Sequence, residues 1–342
     1  MFSFKKTIIW IFLVLVVFSI CINITLGAFS ISFKQILNTI SNPQENTIFY
    51  QVLINIRLPR VFLAILVGLA FGISGAMMQT LFKNPLADPS LIGVSAGASA
   101  GVVIFMLLGS FLPAVLYSGI LSYLSLPLSA FLGAVITILA IYKLATIYNK
   151  VAITVMLLAG IAINAMLGAL VGLFTYLSSE EELKSFMFWT MGSLANADMK
   201  AVLTIFPIVI VTLLFAISKQ IELNLMLLGE DEAKNSGVNA EFLKKMIIFF
   251  VSLAVAVSVA FCGIIGFIGL VVPHIARILV GSNHKYYLPL SAILGAFIIL
   301  WADTIARTII SPAELPIGII TALLGAPFFL WLLIKNRQNT MN

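Results

Sequence analysis

The chain has 342 residues, 61% of them hydrophobic and only 9% charged, with a mean hydropathy of +1.15, against ~25% charged residues in soluble domains. This balance excludes a soluble enzyme and describes a polytopic, all-α membrane protein whose surroundings are lipid. The net charge of +6 comes from basic residues scattered at the ends of apolar runs, not from the basic stripe that nucleic acid requires, so no nucleic-acid partner is expected.

Lys5 and Lys6 precede an apolar run at 8–26. The run is longer than a secretory h-region and no A-x-A cleavage site follows, so it reads as a retained first helix. In the polar stretch 30–51, the ISFKQILNTI portion fits a short amphipathic helix on the outer surface. Residues 61–82 carry no charge over 22 positions, enough at ~1.5 Å per residue to cross a ~30 Å hydrocarbon core. A sharp turn, NPLADP at 84–89, follows, with Asp88 and Pro89 as N-cap and first-turn pair for a third span at 91–108. That span opens with small residues including Ser95 and Gly97, a surface that lets backbones approach or leaves room beside a cavity.

Residues 109–118 form a loop, and a fourth span at 120–142 carries Pro127 as a kink. A short basic connection, 143–150, leads to a fifth span at 151–176, where Gly160, Asn164, Gly168 and Gly172 recur at four-residue spacing and pack closely or line a path. The segment 178–200 is polar, with SSEEELKSF as a helix start and FWTMGSL as an interfacial segment. A sixth span at 202–217 precedes the longest polar connection, 219–245, and spans seven to ten follow at 246–262, 264–280, 288–310 and 317–334.

About ten transmembrane helices put both termini on one side. With that side cytoplasmic, 13 of the 19 basic residues lie inside, so the positive-inside rule supports cytoplasmic termini. Cys21 and Cys262 lie in apolar runs without CxxC or Cys/His spacing, and neither a disulfide framework nor a metal site is expected.

Several motifs carry a resemblance: RLPR at 57–60, NPLADP, the GVSAGA run at 93–98, GIIGFIGLVVPH at 263–274, and AELPIG at 313–318 continuing into the last helix. Together the chain resembles the permease subunits of the ATP-driven importers for iron chelates, haem and vitamin B12. The resemblance spans nearly the whole chain and implies one transmembrane permease domain over 1–342, with spans two to five and seven to ten as an inverted repeat. It also implies a homodimer served by two ATP-binding-cassette ATPase subunits and an external substrate-binding protein.

Three sets of residues are candidates for function. In the inner connection, the apolar run through Leu227 and Leu228 stops at Gly229. Glu230, Asp231 and Glu232 then open a short helix through Ala233 that ends near Gly237 and Val238, and Asn239 caps a second through AEFLKK. An apolar patch among charges reads as a docking surface rather than a solvated connector, and the resemblance implies that it couples to the ATPase. The chain has no G-x-x-x-x-G-K-[ST] motif, so the nucleotide motor is expected on a separate polypeptide and this chain is not expected to be an enzyme or to hold a cofactor.

The second set is Arg57, Arg60 and Arg307, at the outer ends of spans two and nine. Snorkelling is the alternative for each, but cations at the outer end oppose the orientation bias. The resemblance implies that they receive acidic residues of the binding protein. Asp303, one turn before Arg307, is open as a structural partner for it.

The third set concerns the pathway or its gating: Ser95, Gly97, Asn164, Gly168, Gly266, Gly269 and Pro273, the last three in a stretch that reads as an interrupted helix. His274 reads as a structural histidine, since no second histidine lies in the membrane, and Glu314 as interfacial without a catalytic companion. An ion-coupled transporter would need a buried coupling carboxylate, for which only Asp303 qualifies, beside Arg307. An intramembrane enzyme would need a His/Glu or Ser/His pair at mid-depth. The runs at 175–194 and 77–101 resemble most the haem-importing branch, which implies haem as cargo, with ferric siderophore or cobalamin as the alternative.

Overall fold

The computed structural model describes residues 2–27, 32–41, 47–108 and 119–341. The loop expected at 109–118 and parts of the polar stretch after the first helix lie outside the described residues.

Every expected span that is described contains an α-helix. The order is α1 (Phe2–Thr25), α2 (Phe33–Ser41), α3 (Thr47–Gln51), a π-helical segment (Val52–Arg57), α4 (Leu58–Leu81), a 3-10 turn (Pro89–Ile92), α5 (Val94–Leu108) and α6 (Gly119–Ala145). A hairpin of β1 (Thr146–Ile147) and β2 (Lys150–Val151) follows, then α7 (Ile153–Leu177), α8 (Glu180–Thr190), α9 (Met199–Ser218), α10 (Gln220–Leu228) and α11 (Glu230–Asn235). The chain ends with α12 (Ala240–Cys262), α13 (Ile268–Val280), α14 (His284–Thr308) and α15 (Ile317–Met341).

Among the described residues, seven helices are long and apolar enough to cross a membrane; shorter apolar helices stand at the third and eighth expected spans. The shortening has local causes. At the third, Asp88 accepts a hydrogen bond from Ser90 N at 2.8 Å, as its capping role requires, but the turn it caps is 3-10 and closes on Gly93 with φ +83°. A side chain at that left-handed position is strained, so the α-helix begins only at Val94. At the eighth, residues 263–267 are not helical; Gly263 (φ +69°) and Phe267 (φ +67°) bracket the break. The helix then runs unbroken through Gly269 and Pro273, which corrects the expectation that these two interrupt it.

Three other expectations change. The second span does not begin near residue 61: helix runs from Ile48 to Leu81, 34 residues, including the π segment. The second inner helix over AEFLKK is the first turns of α12, because no breaker separates it from the apolar run. The basic connection 143–150 contains a two-residue hairpin turned by Tyr148 (φ +48°) and Asn149 (φ +61°), as a primed turn demands.

The chain divides into two compact units: residues 1–73, 193–217 and 265–342 form the first, and 74–192 and 218–264 the second. In the first unit α1 packs on α14, with Trp301 Nε1 donating to Ser19 Oγ at 2.9 Å and the rings of Phe12 and Phe297 edge to face at 6.0 Å. The first half of α4 crosses α14 where Gly68 and Gly72 meet Gly295 and Ser291; a Cβ on Gly72 would lie 2.2 Å from the Ser291 carbonyl oxygen. Ile36 of α2 is buried with Leu53 of the π segment, seating the amphipathic helix.

In the second unit α5 and α6 meet in the same manner. A Cβ on Gly97 would lie 2.6 Å from the Gly133 carbonyl oxygen, and one on Gly101 2.1 Å from that of Ser129. Both crossings use glycines four apart, which lets dispersion and weak backbone contacts replace the hydrophobic effect that lipid cannot supply. The expected helix start in SSEEELKSF is present as a capping box on α8: Glu182 Oε2 accepts from Ser179 N at 3.0 Å while Ser179 Oγ accepts from Glu182 N.

Candidate functional site

The three arginines gather with two carboxylates in the first unit. Arg60 donates from Nε to Asp303 Oδ1 at 2.9 Å and from Nη1 to Glu314 Oε1 at 2.9 Å, and its Nη2 lies 2.8 Å from Asp303 Oδ1. Arg307 Nε is 3.7 Å from Asp303 Oδ2, so the tighter partner of Asp303 is Arg60, 243 residues away, rather than the arginine one turn on. Arg307 Nη2 instead donates to Asn23, through the backbone carbonyl and through Oδ1 at 2.7 Å. Arg57 Nη1 donates to the carbonyls of Ile24 and Thr25, the latter at 3.1 Å.

Two guanidiniums therefore cap the C-terminal turn of α1, whose last carbonyls have no helical partner and carry the negative end of the helix dipole. Asn23 Nδ2 closes the network on Leu300 O at 3.1 Å and Thr304 Oγ1 at 2.8 Å. Arg57, Arg60 and Arg307 are only 4–5% exposed and Asp303 1%; the Glu314 side chain, at 39%, is the open edge of the cluster. The cluster thus sets three guanidiniums beside two carboxylates.

The connection at 219–245, expected on the inner side, lies in the second unit. α10 buries Leu223 and Met226 and α11 buries Ala233, while Leu228 is 72% exposed beside the half-buried Leu227 and Gly229. Glu230, Asp231 and Glu232 occupy the first turn of α11, and Asp231 and Gly237 are exposed with Val238 half-buried. Lys244, almost fully buried, bridges Glu230 at 2.8 Å and Glu241 at 2.9 Å, fixing α11 to α12. Glu241 in turn accepts from the Val151 N–H at 2.9 Å, tying the hairpin to the same helix. Partial burial pushes the Glu222 carboxyl up, but Lys219 Nζ at 2.9 Å outweighs it and holds the group below the usual carboxylate range. Asn239 Oδ1 accepts from Phe242 N at 3.0 Å, the expected cap. A cavity of about 400 Å³ lies between Ile221, Leu225, Val238 and Phe242.

The residues proposed for a pathway separate. Gly97 is spent on the α5–α6 crossing, and Gly269 and Pro273 are buried in α13. Ser95 is half-buried. On α7, Gly160 touches the Leu91 carbonyl, a Cβ there falling 2.2 Å from it, whereas Gly168 and Gly172 meet nothing within 4 Å. Asn164 Oδ1 lies beside Gly93, buried and without a hydrogen-bond partner among the described residues. Gly266, in the break before α13, also faces open space. His274 lies edge to face with Phe328 at 6.0 Å. Among the described residues no three His, Cys, Asp or Glu side chains gather to hold a metal.

The pattern of a helical membrane protein with a polar clamp at one set of helix ends and short helices in its longest polar connection has a close counterpart among known proteins. The FecCD transport family matches residues 15–335. The chain belongs to that family.

Relatives of this FecCD chain include the hemin transport system permease protein HmuU of Yersinia pestis, 41% identical over 92% of this chain and 91% of that protein. The cobalamin import system permease protein BtuC of Halobacterium salinarum is 40% identical over 81% of this chain and 72% of that one. A solved metal-chelate type ABC transporter in an inward-facing conformation superposes with a TM-score of 0.81 at 34% identity, covering 96% of this chain and 99% of that one. PsaBC from Streptococcus pneumoniae shares the fold alone, with a TM-score of 0.54 at 16% identity.

Sequence reasoning missed two members of the FecCD chain's arginine cluster. Asn23 gave no local signal, being one polar residue in an apolar helix. Glu314 had one: an acidic residue beside apolar helices that also hold arginines calls for a partner.

Proposed function

We propose that this chain is the membrane subunit of an ATP-driven importer that carries haem into the cytoplasm. The observation that carries the reading is the match to a metal-chelate type ABC transporter along 96% of the chain; the 41% identity to a hemin permease supports the cargo. Two copies form the conduit, two ATP-binding-cassette ATPase subunits drive it, and an external substrate-binding protein delivers the cargo. Both termini are cytoplasmic, in keeping with the distribution of basic residues.

The ATPase docks on Leu227, Leu228, Gly229, Glu230, Asp231, Ala233, Gly237 and Val238. The exposure of Leu228 and the rigid Lys244 bridge from α11 to α12 support this role, since a push on α11 is carried into a membrane helix. The binding protein is received at Arg57, Arg60 and Arg307. The gathering of three arginines supports it, and their burial sets a condition: an incoming carboxylate must replace the α1 carbonyls that Arg57 and Arg307 now hold. Asn164 and Gly168 border the path, as the open space beside Gly168 favours.

A cobalamin importer is the second reading, favoured by the 40% identity to BtuC. The test is uptake by the assembled importer in proteoliposomes, offered haem, a ferric siderophore or cobalamin separately. Haem alone should accumulate on ATP addition; accumulation of cobalamin with haem left outside overturns the cargo assignment.

A further inference from the structure

Between α6 and α12 the second unit holds an apolar groove of about 440 Å³. Phe131, Leu139 and Tyr142 form one wall, Phe249 and Leu253 the other, and Lys245 stands at one end as the only charged group of the lining. From Lys245 to Leu253 the groove follows two turns of helix, about 12 Å at the rise of an α-helix. Leu139 and Phe249 are more than half exposed, so the groove opens sideways from two membrane-spanning helices, toward the place where lipid chains lie.

The charge at its end is arranged for an anion. Lys245 Nζ donates to Asn149 Oδ1 at 2.6 Å, which brings the hairpin beside the groove mouth and leaves further donors on the ammonium. Lys143 and Lys150 are exposed on the same connection. The neighbouring carboxylates Glu230 and Glu241 are both paired with Lys244 rather than with Lys245. A protein helix laid in the groove would have to bring its own carboxylate to Lys245; a membrane phosphate arrives with its negative charge at the right end of an apolar chain.

We propose that this groove is a binding site for an anionic phospholipid, with one acyl chain between α6 and α12 and the phosphate on Lys245. Basic pockets between transmembrane helices are known to select anionic headgroups in this way. The site depends on the chain's residence in a bilayer and is independent of the cargo it moves.

The test is native mass spectrometry of the full chain released from mild detergent with added phosphatidylglycerol or phosphatidylcholine of identical acyl chains. Phosphatidylglycerol should be retained about fivefold over phosphatidylcholine, the ratio that ~1 kcal/mol for one lysine beside an anionic headgroup gives. Lys245→Gln should bring that ratio to near one while the protein remains folded, and Leu139→Trp, which fills the rim, should lower retention of both lipids. Equal retention of the two lipids by the native chain overturns the proposal, as does a Lys245→Gln variant that keeps the preference. A photo-crosslinker at position 139 supplies a second arm: lipid adducts support the site, and adducts to a second copy of the chain or to an ATPase subunit reject it.

Discussion

Replacing Arg60 with leucine removes the group that holds Asp303, a carboxylate 1% exposed, through two hydrogen bonds of 2.9 and 3.1 Å. Losing one partner of such a pair costs roughly 3–5 kcal/mol, because the remaining charge stays buried. Two features put this case toward the lower end. Glu314, with its side chain 39% exposed, can turn to water, and Arg307 Nε remains 3.7 Å from Asp303. We therefore expect a loss of about 3 kcal/mol for Arg60→Leu and no more than ~1 kcal/mol for Glu314→Gln, whose pair is partly solvated. Combining Arg60→Leu with Asp303→Leu should recover about 2 kcal/mol or more, since an apolar pair replaces an orphaned charge. The assay is equilibrium unfolding in mixed micelles, run as a double-mutant cycle. An Arg60→Leu variant within ~0.5 kcal/mol of the native chain refutes the reasoning. The same geometry implies that Arg60→Glu, which would place a third carboxylate beside Asp303 and Glu314, damages the fold before it reports on binding-protein capture.

Gly101→Leu must push a side chain into the Ser129 carbonyl 2.1 Å from its Cβ, so thermal unfolding should show a loss at or above the ~1–3 kcal/mol of overpacking. Gly168→Ala, with open space around it, should stay within ~0.5 kcal/mol in the same assay. Leu228→Asp alters an exposed residue and should leave the fold unchanged while weakening ATPase subunit retention on the order of tenfold, as loss of a central apolar anchor does; unchanged co-purification would remove Leu228 from the docking surface. Lys244→Met severs the bridges to Glu230 and Glu241, each a charged hydrogen bond worth about 1.5–3 kcal/mol, and hydrogen exchange over residues 230–235 should accelerate.

Local chemistry was legible in the letters. The Asp88 cap, the Ser179–Glu182 capping box and the Asn239 cap all appear where their spacing put them, because each involves residues two or three apart. The apolar runs likewise became helices, since lipid leaves the backbone no other partner. What was not legible depends on residues far apart in sequence. Arg60 reaches Glu314 across 254 positions and Arg307 reaches Asn23 across 284, and no periodicity encodes such a meeting. Small residues were ambiguous for a different reason: close packing and an open path both favour glycine. Gly97 and Gly168 look alike in sequence, yet one meets a carbonyl and the other meets nothing within 4 Å. The π segment was invisible because Val52–Arg57 is ordinary in composition; it lies where α3 passes into α4 and ends on the arginine that reaches the α1 carbonyls.

The central claim is that this FecCD-family chain is a conduit driven by a partner on its inner face. Reconstituted in vesicles with its ATPase subunits and binding protein, it should accumulate haem only when ATP is supplied on the ATPase side. With the ATPase subunits omitted, a proton or sodium gradient should give no accumulation; uphill uptake under that gradient alone would contradict the account.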